Sequence, residues 1–361
     1  MGRPVRAELY GGQVPWPDTP DGHFARKYLE PLMGGETAEF IHNVRTDVRT
    51  LLVDGETILP VTVNDGEYGN AWVCSPYTHY VTYAGEELYL VGSAVLRALL
   101  RGALGVLGWL CRFSRVNRVV LVNNWLLSTN LYPRMREGQV EAAIERLRQE
   151  FPDHAIVFCS VNEPIPGCVN VPGRQIYLIE PGKTASRARK RWRRELRMIE
   201  RDGYEVVVPD DPKRVVELYD KLYLDKYSRN NPQFSERFVA ELPFTYRALA
   251  KNGRVEAVLG YYERDGVITT PVFGYDTDRP REEGLYRMLS ALLYEIAEER
   301  GLKVNDSAGA GHFKRLRGAE PQIEYRAAYV EHLPWRRRVA WVVLEAVLGR
   351  FVVPMMRREG W

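Results

Sequence analysis

Apolar and polar positions alternate with two distinct periods along this chain. Apolar runs at 50–53 and 57–63 flank Asp54-Gly55-Glu56, the pattern of a β-hairpin. Residues 71–83 are rich in aromatic and β-branched side chains and predict a further strand. An apolar stretch from about 90 to 111 reads as a helix, and Val119-Val120-Leu121-Val122 as a buried strand. At 138–150 the period changes: Val140, Ala143, Ile144 and Leu147 share one helical face. Another strand follows at 154–161. Residues 1–40 look irregular, and the Pro/Gly-rich stretch 162–173 reads as a connection.

The second half repeats the order. A helix is expected at about 184–202, a strand at 204–208, a helix at 213–226 and a hairpin of 254–262 with 267–274 around Asp265-Gly266. A long amphipathic helix at 284–300, a short strand at 303–306 and a last strand at 324–330 complete it. This element order resembles the acetyltransferase-like (GNAT-like) architecture, which implies an α/β protein of two tandem domains of that kind with mixed sheets. They cover residues 1–170 and 171–334, and an amphipathic tail covers 335–361.

A length of 361 residues suits two cores better than one. The formal net charge of +3 gives no global argument for nucleic-acid binding. Cys74, Cys111, Cys159 and Cys168 form no CxxC pair and read as reduced, structural thiols of a cytoplasmic protein. The histidines lack ligand spacing, so no metal is expected. The first six residues carry no signal-peptide core. Two apolar stretches, 88–111 and 339–356, contain Arg97 and Arg101, and Glu345 and Arg350, respectively; they read as buried or amphipathic helices rather than spans. The second is flanked by Arg336-Arg337-Arg338 and Arg357-Arg358, which suits peripheral membrane contact as well as a packed terminal helix.

Charge is concentrated at 183–201. Ala185, Ala188, Trp192, Leu196 and Ile199 recur at helical spacing and form a docking face. Arg187, Arg191 and Arg194 then lie on other faces, available to the phosphates of a tRNA, of coenzyme A or of a lipid headgroup. Arg281-Glu282-Glu283-Gly284 precedes a helix start, where free backbone N–H groups favour phosphate; Tyr286 stands where a small residue is usual in such a loop. Polar-aromatic clusters at strand ends contain Tyr77 and His79, Asn123 and Asn124, and Asn230, side chains suited to a polar acceptor or equally to turn and core hydrogen bonding. Asp306 ends a short strand, and His312 follows the Gly309-Ala310-Gly311 turn; either is a candidate base.

The segment Asn305–Pro321, with its strand end, Gly-rich turn, Phe313-Lys314 pair and Gly318-Ala319-Glu320-Pro321, resembles the C-terminal signature of FemAB-type transferases and their acetyltransferase-like relatives. The resemblance is specific over about 284–330 and extends in element order over 45–334. It implies tandem domains and an amide-forming reaction, of a kind that serves specialised-metabolite or cell-envelope biosynthesis. An aminoacyl group from aminoacyl-tRNA, slightly favoured, or an acyl group from acyl-CoA passes to a small-molecule or peptide amine, with no further cofactor. It implies that Lys314 stabilises charge at the reacting carbonyl, with Phe313 beside the donor. The alternative is a non-catalytic phosphate- or membrane-binding protein on a decayed transferase fold.

Overall fold

The computed structural model describes residues 5–359. The stretch read above for a leader lies, in its first four residues, outside them. In chain order the main elements begin with β1 (Ala7–Tyr10), α1 (Pro20–Gly34), β2 (Asp47–Val53), β3 (Thr57–Asn64), α2 (Ala94–Phe113), β4 (Val119–Val122), α3 (Gln139–Glu150), β5 (Ala155–Val161) and β6 (Val169–Ile179). Then come α4 (Ser186–Leu196), β7 (Glu205–Val207), α5 (Pro212–Tyr223), β8 (Thr245–Lys251), β9 (Arg254–Arg264) and β10 (Val267–Tyr275). The last are α6 (Leu285–Glu299), β11 (Lys303–Ala308), α7 (Gly311–Arg315), β12 (Glu320–Tyr329) and α8 (Trp335–Val347). The fold is α/β, and its strands form a large mixed sheet.

The chain divides into two compact units. Unit 1 holds residues up to Gly173 with Ser228–Gln233 and Tyr325–Val353; unit 2 holds Arg174–Tyr227, Phe234–Glu324 and residues from Pro354 on. In unit 1 the β2–β3 hairpin closes through Asp54 and Gly55, both at positive φ, and β4 runs parallel to β5 with α3 as the crossover. Strand β4 is buried on both faces. Val120 and Val122 pack with Ala143 and Leu147 of α3, while Val119 and Leu121 face Cys111, Trp341 and Leu344.

Two expectations in unit 1 fail. Residues 20–34, taken as irregular, form α1: the Thr19 hydroxyl accepts from the Gly22 N–H and Pro20 starts the helix. Residues 71–83 are not a strand; they turn into a helical segment that includes Thr78–Thr82, because the Ser75 hydroxyl caps Thr78 N–H and Pro76 follows it. The helix expected at 90–111, read as buried or amphipathic, exists as α2, and of its residues only Gly108 and Cys111 are enclosed. The cysteines carry no disulfide, and burial pushes the Cys74 thiol up to about 11 and those of Cys111 and Cys168 to about 12.

In unit 2 β8, β9 and β10 are antiparallel, and β10 is joined by α6 to the parallel strand β11. Their core gathers Trp192, Leu259, Phe273, Met288, Leu289 and Leu293. The β10–β11 ladder ends at Thr269↔Asn305, and β10 bulges between Thr269 and Val272. The ladder pairs no residue of β11 beyond Asn305, and Asp306 follows directly.

Candidate active site

Past Asn305 the strand leaves regular geometry. Ser307, Gly309 and Ala310 have φ of +57°, +77° and +51°. A left-handed backbone at a residue with a Cβ costs about 1–2 kcal/mol, so Ser307 and Ala310 must be held there by their surroundings. Lys314 does part of the holding. It is buried on α7, and its ammonium donates to the carbonyl oxygens of Asp306, Ala308 (3.0 Å) and Ser307 (3.4 Å), above the Tyr177 ring at 5.6 Å. All three N–H bonds are thereby used, so direct service to an oxyanion requires one to be released. From the other side Arg174 donates to the Ser307 hydroxyl (3.0 Å) and to Glu324 (2.8 Å).

The Asp306 carboxylate accepts from the Tyr294 hydroxyl at 2.6 Å. Burial raises its proton affinity above the ordinary 3.8; the Lys314 charge, the Tyr294 hydrogen bond and Arg317 work against that. Burial lowers the Lys314 pKa from its ordinary value, opposed by Asp306. The Tyr286 ring, whose hydroxyl is pushed well up by burial, lies edge-on to Phe313 at 4.7 Å. The Arg317 guanidinium covers the other side of Phe313 at 3.3 Å and forms a buried pair with Glu195. Unit 2 thus brings together Asp306, Lys314, Phe313 and Tyr286. His312 is exposed on α7, and its ring has no hydrogen-bond partner among the described residues.

The basic segment is α4, broken at Arg197 before a short turn Met198–Arg201. Ala188, Trp192 and Glu195 face inward, with Trp192 edge-on to Tyr294. Arg189 and Arg193 pair with Glu298 of α6. The side chains of Arg187, Arg191 and Arg194 make no ion pair or hydrogen bond among the described residues. Arg281 is exposed in the turn before α6, and Gly284 sits at φ +74° as the cap of that helix, where a Cβ would meet the Arg287 guanidinium at 2.7 Å.

The acceptor candidates belong to unit 1 and have work there. Tyr77 accepts from Arg112 Nε at 3.2 Å, and the His79 ring lies between those of Trp72 and Tyr80. Asn123 accepts from Trp125 Nε1; Asn124 bonds Thr62, Val73 and Leu126. Asn230 donates to Glu86 at 2.8 Å. Tyr294, Tyr177, Arg174 and Glu195 escaped the sequence reading. Only Glu195 had a signal, standing one helical turn after Trp192 on the docking side.

No known family's profile and no curated protein matches this sequence. Several solved structures match it. L-PGS from Bacillus licheniformis aligns at 15% identity over 58% of this chain and 77% of its own, with a TM-score of 0.44. FemX aligns at 8% identity over 63% of this chain and 83% of its own, also at 0.44. A GCN5-related N-acetyltransferase from Kribbella flavida aligns at 13% identity over 59% and 81%, at 0.32.

Proposed function

We propose that the protein forms amides, moving an aminoacyl or acyl group to an amine, with the chemistry in unit 2. One observation carries this reading: Asp306, next to the last β10–β11 pair, combines a raised proton affinity with a fixed hydroxyl partner, as a general base needs. The amine nitrogen attacks the donor carbonyl, and its proton passes to Asp306. The carbon–oxygen bond of an ester donor, or the carbon–sulfur bond of a thioester, then breaks, and the leaving group takes the proton. Lys314 acts as a positioning residue, fixing the carbonyls that set the course of the chain at Asp306.

Aminoacyl-tRNA is favoured over acyl-CoA as donor by Arg187, Arg191 and Arg194, whose charges are uncommitted on one helix. A tandem pair of acetyltransferase-like domains belongs to the same proposal, supported by the parallel β-α-β crossover inside each unit. So does a cytoplasmic setting. The test is transfer of labelled aminoacyl groups from charged tRNA, and of labelled acyl groups from acyl-CoA, to a pool of amines. Donor-dependent amide supports the reading. The second reading, a non-catalytic anion-binding protein, is favoured by the full engagement of the Lys314 ammonium. Anion binding without transfer from either donor would establish it.

A further inference from the structure

Helix α2 is apolar, and little of it is enclosed. Val95, Leu99 and Trp109 are 73%, 67% and 65% exposed, and no residue of 94–106 is buried. The helix beginning at Trp335 continues to Arg358, and past Leu348 it too has no buried residue. Within unit 1 the two meet through aromatic rings: Trp109 stacks on Phe113 at 5.4 Å, and Phe113 lies 6.3 Å from Trp335. A patch of this kind on a folded protein marks a partner surface.

Charge identifies the partner. Residues 94–113 contain no Asp or Glu. Residues 335–358 contain one, Glu345, whose carboxylate accepts from the Asn170 N–H at 2.7 Å and is spent inside the unit. Arg112 is held on Tyr77 and Tyr68, and Arg337 on the carbonyls of Ser114, Arg115 and Arg118. The side chains of Arg97, Arg101, Arg336, Arg338 and Arg350, all in unit 1, have no ion-pair or hydrogen-bond partner among the described residues. A second copy of the chain, placed face to face, would set arginines against arginines. An anionic lipid surface meets both the apolar side chains and the charges.

Length decides how deep the contact goes. Over their full 20 and 24 residues both helices are long and apolar enough to cross a membrane, but Gly108 and Cys111 of α2 and Arg337, Ala340, Trp341 and Leu344 of the other are enclosed in unit 1; the stretches beyond them in that unit, residues 94–106 and 349–353, extend roughly 20 Å and roughly 8 Å at 1.5 Å per residue. Each falls short of the ~30 Å hydrocarbon core. We infer that α2 and the carboxy-terminal helix as far as Val353, both in unit 1, embed in one leaflet of an anionic phospholipid bilayer and hold the protein at its surface without crossing it.

The test is flotation of the full chain with phosphatidylglycerol–phosphatidylcholine vesicles and with phosphatidylcholine alone. It needs no donor or acceptor, so it fails or succeeds independently of the transfer reading. The protein is expected to float with the anionic vesicles. Replacing Arg97, Arg101 or Arg338 by Ala should weaken partition by about five-fold each. Leu99→Glu with Trp109→Glu should abolish flotation while circular dichroism and Tm stay unchanged, because both side chains are exposed. Alkaline carbonate should release the wild type. Three results overturn the inference: no flotation, flotation unaffected by the double variant, or retention in carbonate. So does a lipid-free dimer that the double variant dissociates.

Discussion

Lys314 was visible in the sequence as half of a Phe-Lys pair; its three carbonyl partners were not. They depend on left-handed residues that the composition of Asn305–Gly311 permits but does not spell out. Lys314→Met leaves those carbonyls without a donor inside the protein, which should cost about 3 kcal/mol in urea unfolding. It also removes a charge that lowers the Asp306 pKa, so the acid limb of the pH–rate profile should move up. An unmoved limb would make the lysine purely structural. Asp306 itself has a folded pKa raised above 3.8. The stability it contributes is full below 3.8 and lost as pH rises through the raised value, and Asp306→Asn should flatten that decline. Glu195 carried only one signal in the sequence, its place a helical turn after Trp192. Its partner Arg317 is 122 residues away, a pairing no local pattern reveals. Glu195→Gln leaves a buried guanidinium uncompensated and should cost about 3–5 kcal/mol, readable as a fall in the urea midpoint.

Among the elements, those with a strong period were legible and those decided by caps or partners were not. The 284–300 helix and both hairpins lie where the pattern placed them. The 71–83 segment has strand-like composition, but Ser75-Pro76 starts a helical turn that overrides it. Strand β6 runs through part of the stretch read as a connection, because Val171, Ile176 and Ile179 find a sheet to enter. For the basic helix, Ala188, Trp192 and Glu195 make the docking face, so changing Arg187, Arg191 and Arg194 to Ala should leave Tm alone. The change should flatten the salt dependence of donor binding by about one slope unit for each phosphate that is no longer neutralised. An unaltered salt series would return α4 to a plain surface helix. A packing test comes from Gly274 of β10, where a Cβ would lie 2.5 Å from the Leu218 backbone of α5. Gly274→Ala should cost about 1–3 kcal/mol in the same unfolding experiment.

At the scale of the molecule, mixed α/β architecture followed from the alternation of short apolar runs with 3.6-period segments. The place of Ser228–Gln233 did not. Ser228–Gln233 belongs to unit 1 through bonds from Asn43 and Trp72 to Asn231 and its neighbours, contacts more than 150 residues apart in the chain. The exposure of α2 was equally hidden, since an apolar helix reads the same whether protein or lipid covers it. The central claim is that Asp306 takes the proton of an attacking amine in unit 2. The most direct measurement is the pH–rate profile of amide formation for the wild type and for Asp306→Asn, with whichever donor supports transfer. The account predicts a wild-type rate that rises through a pKa above 3.8, and an Asp306→Asn variant about 10²- to 10⁴-fold slower in which that limb is gone. An Asp306→Asn protein that transfers at the wild-type rate with the same limb would contradict it.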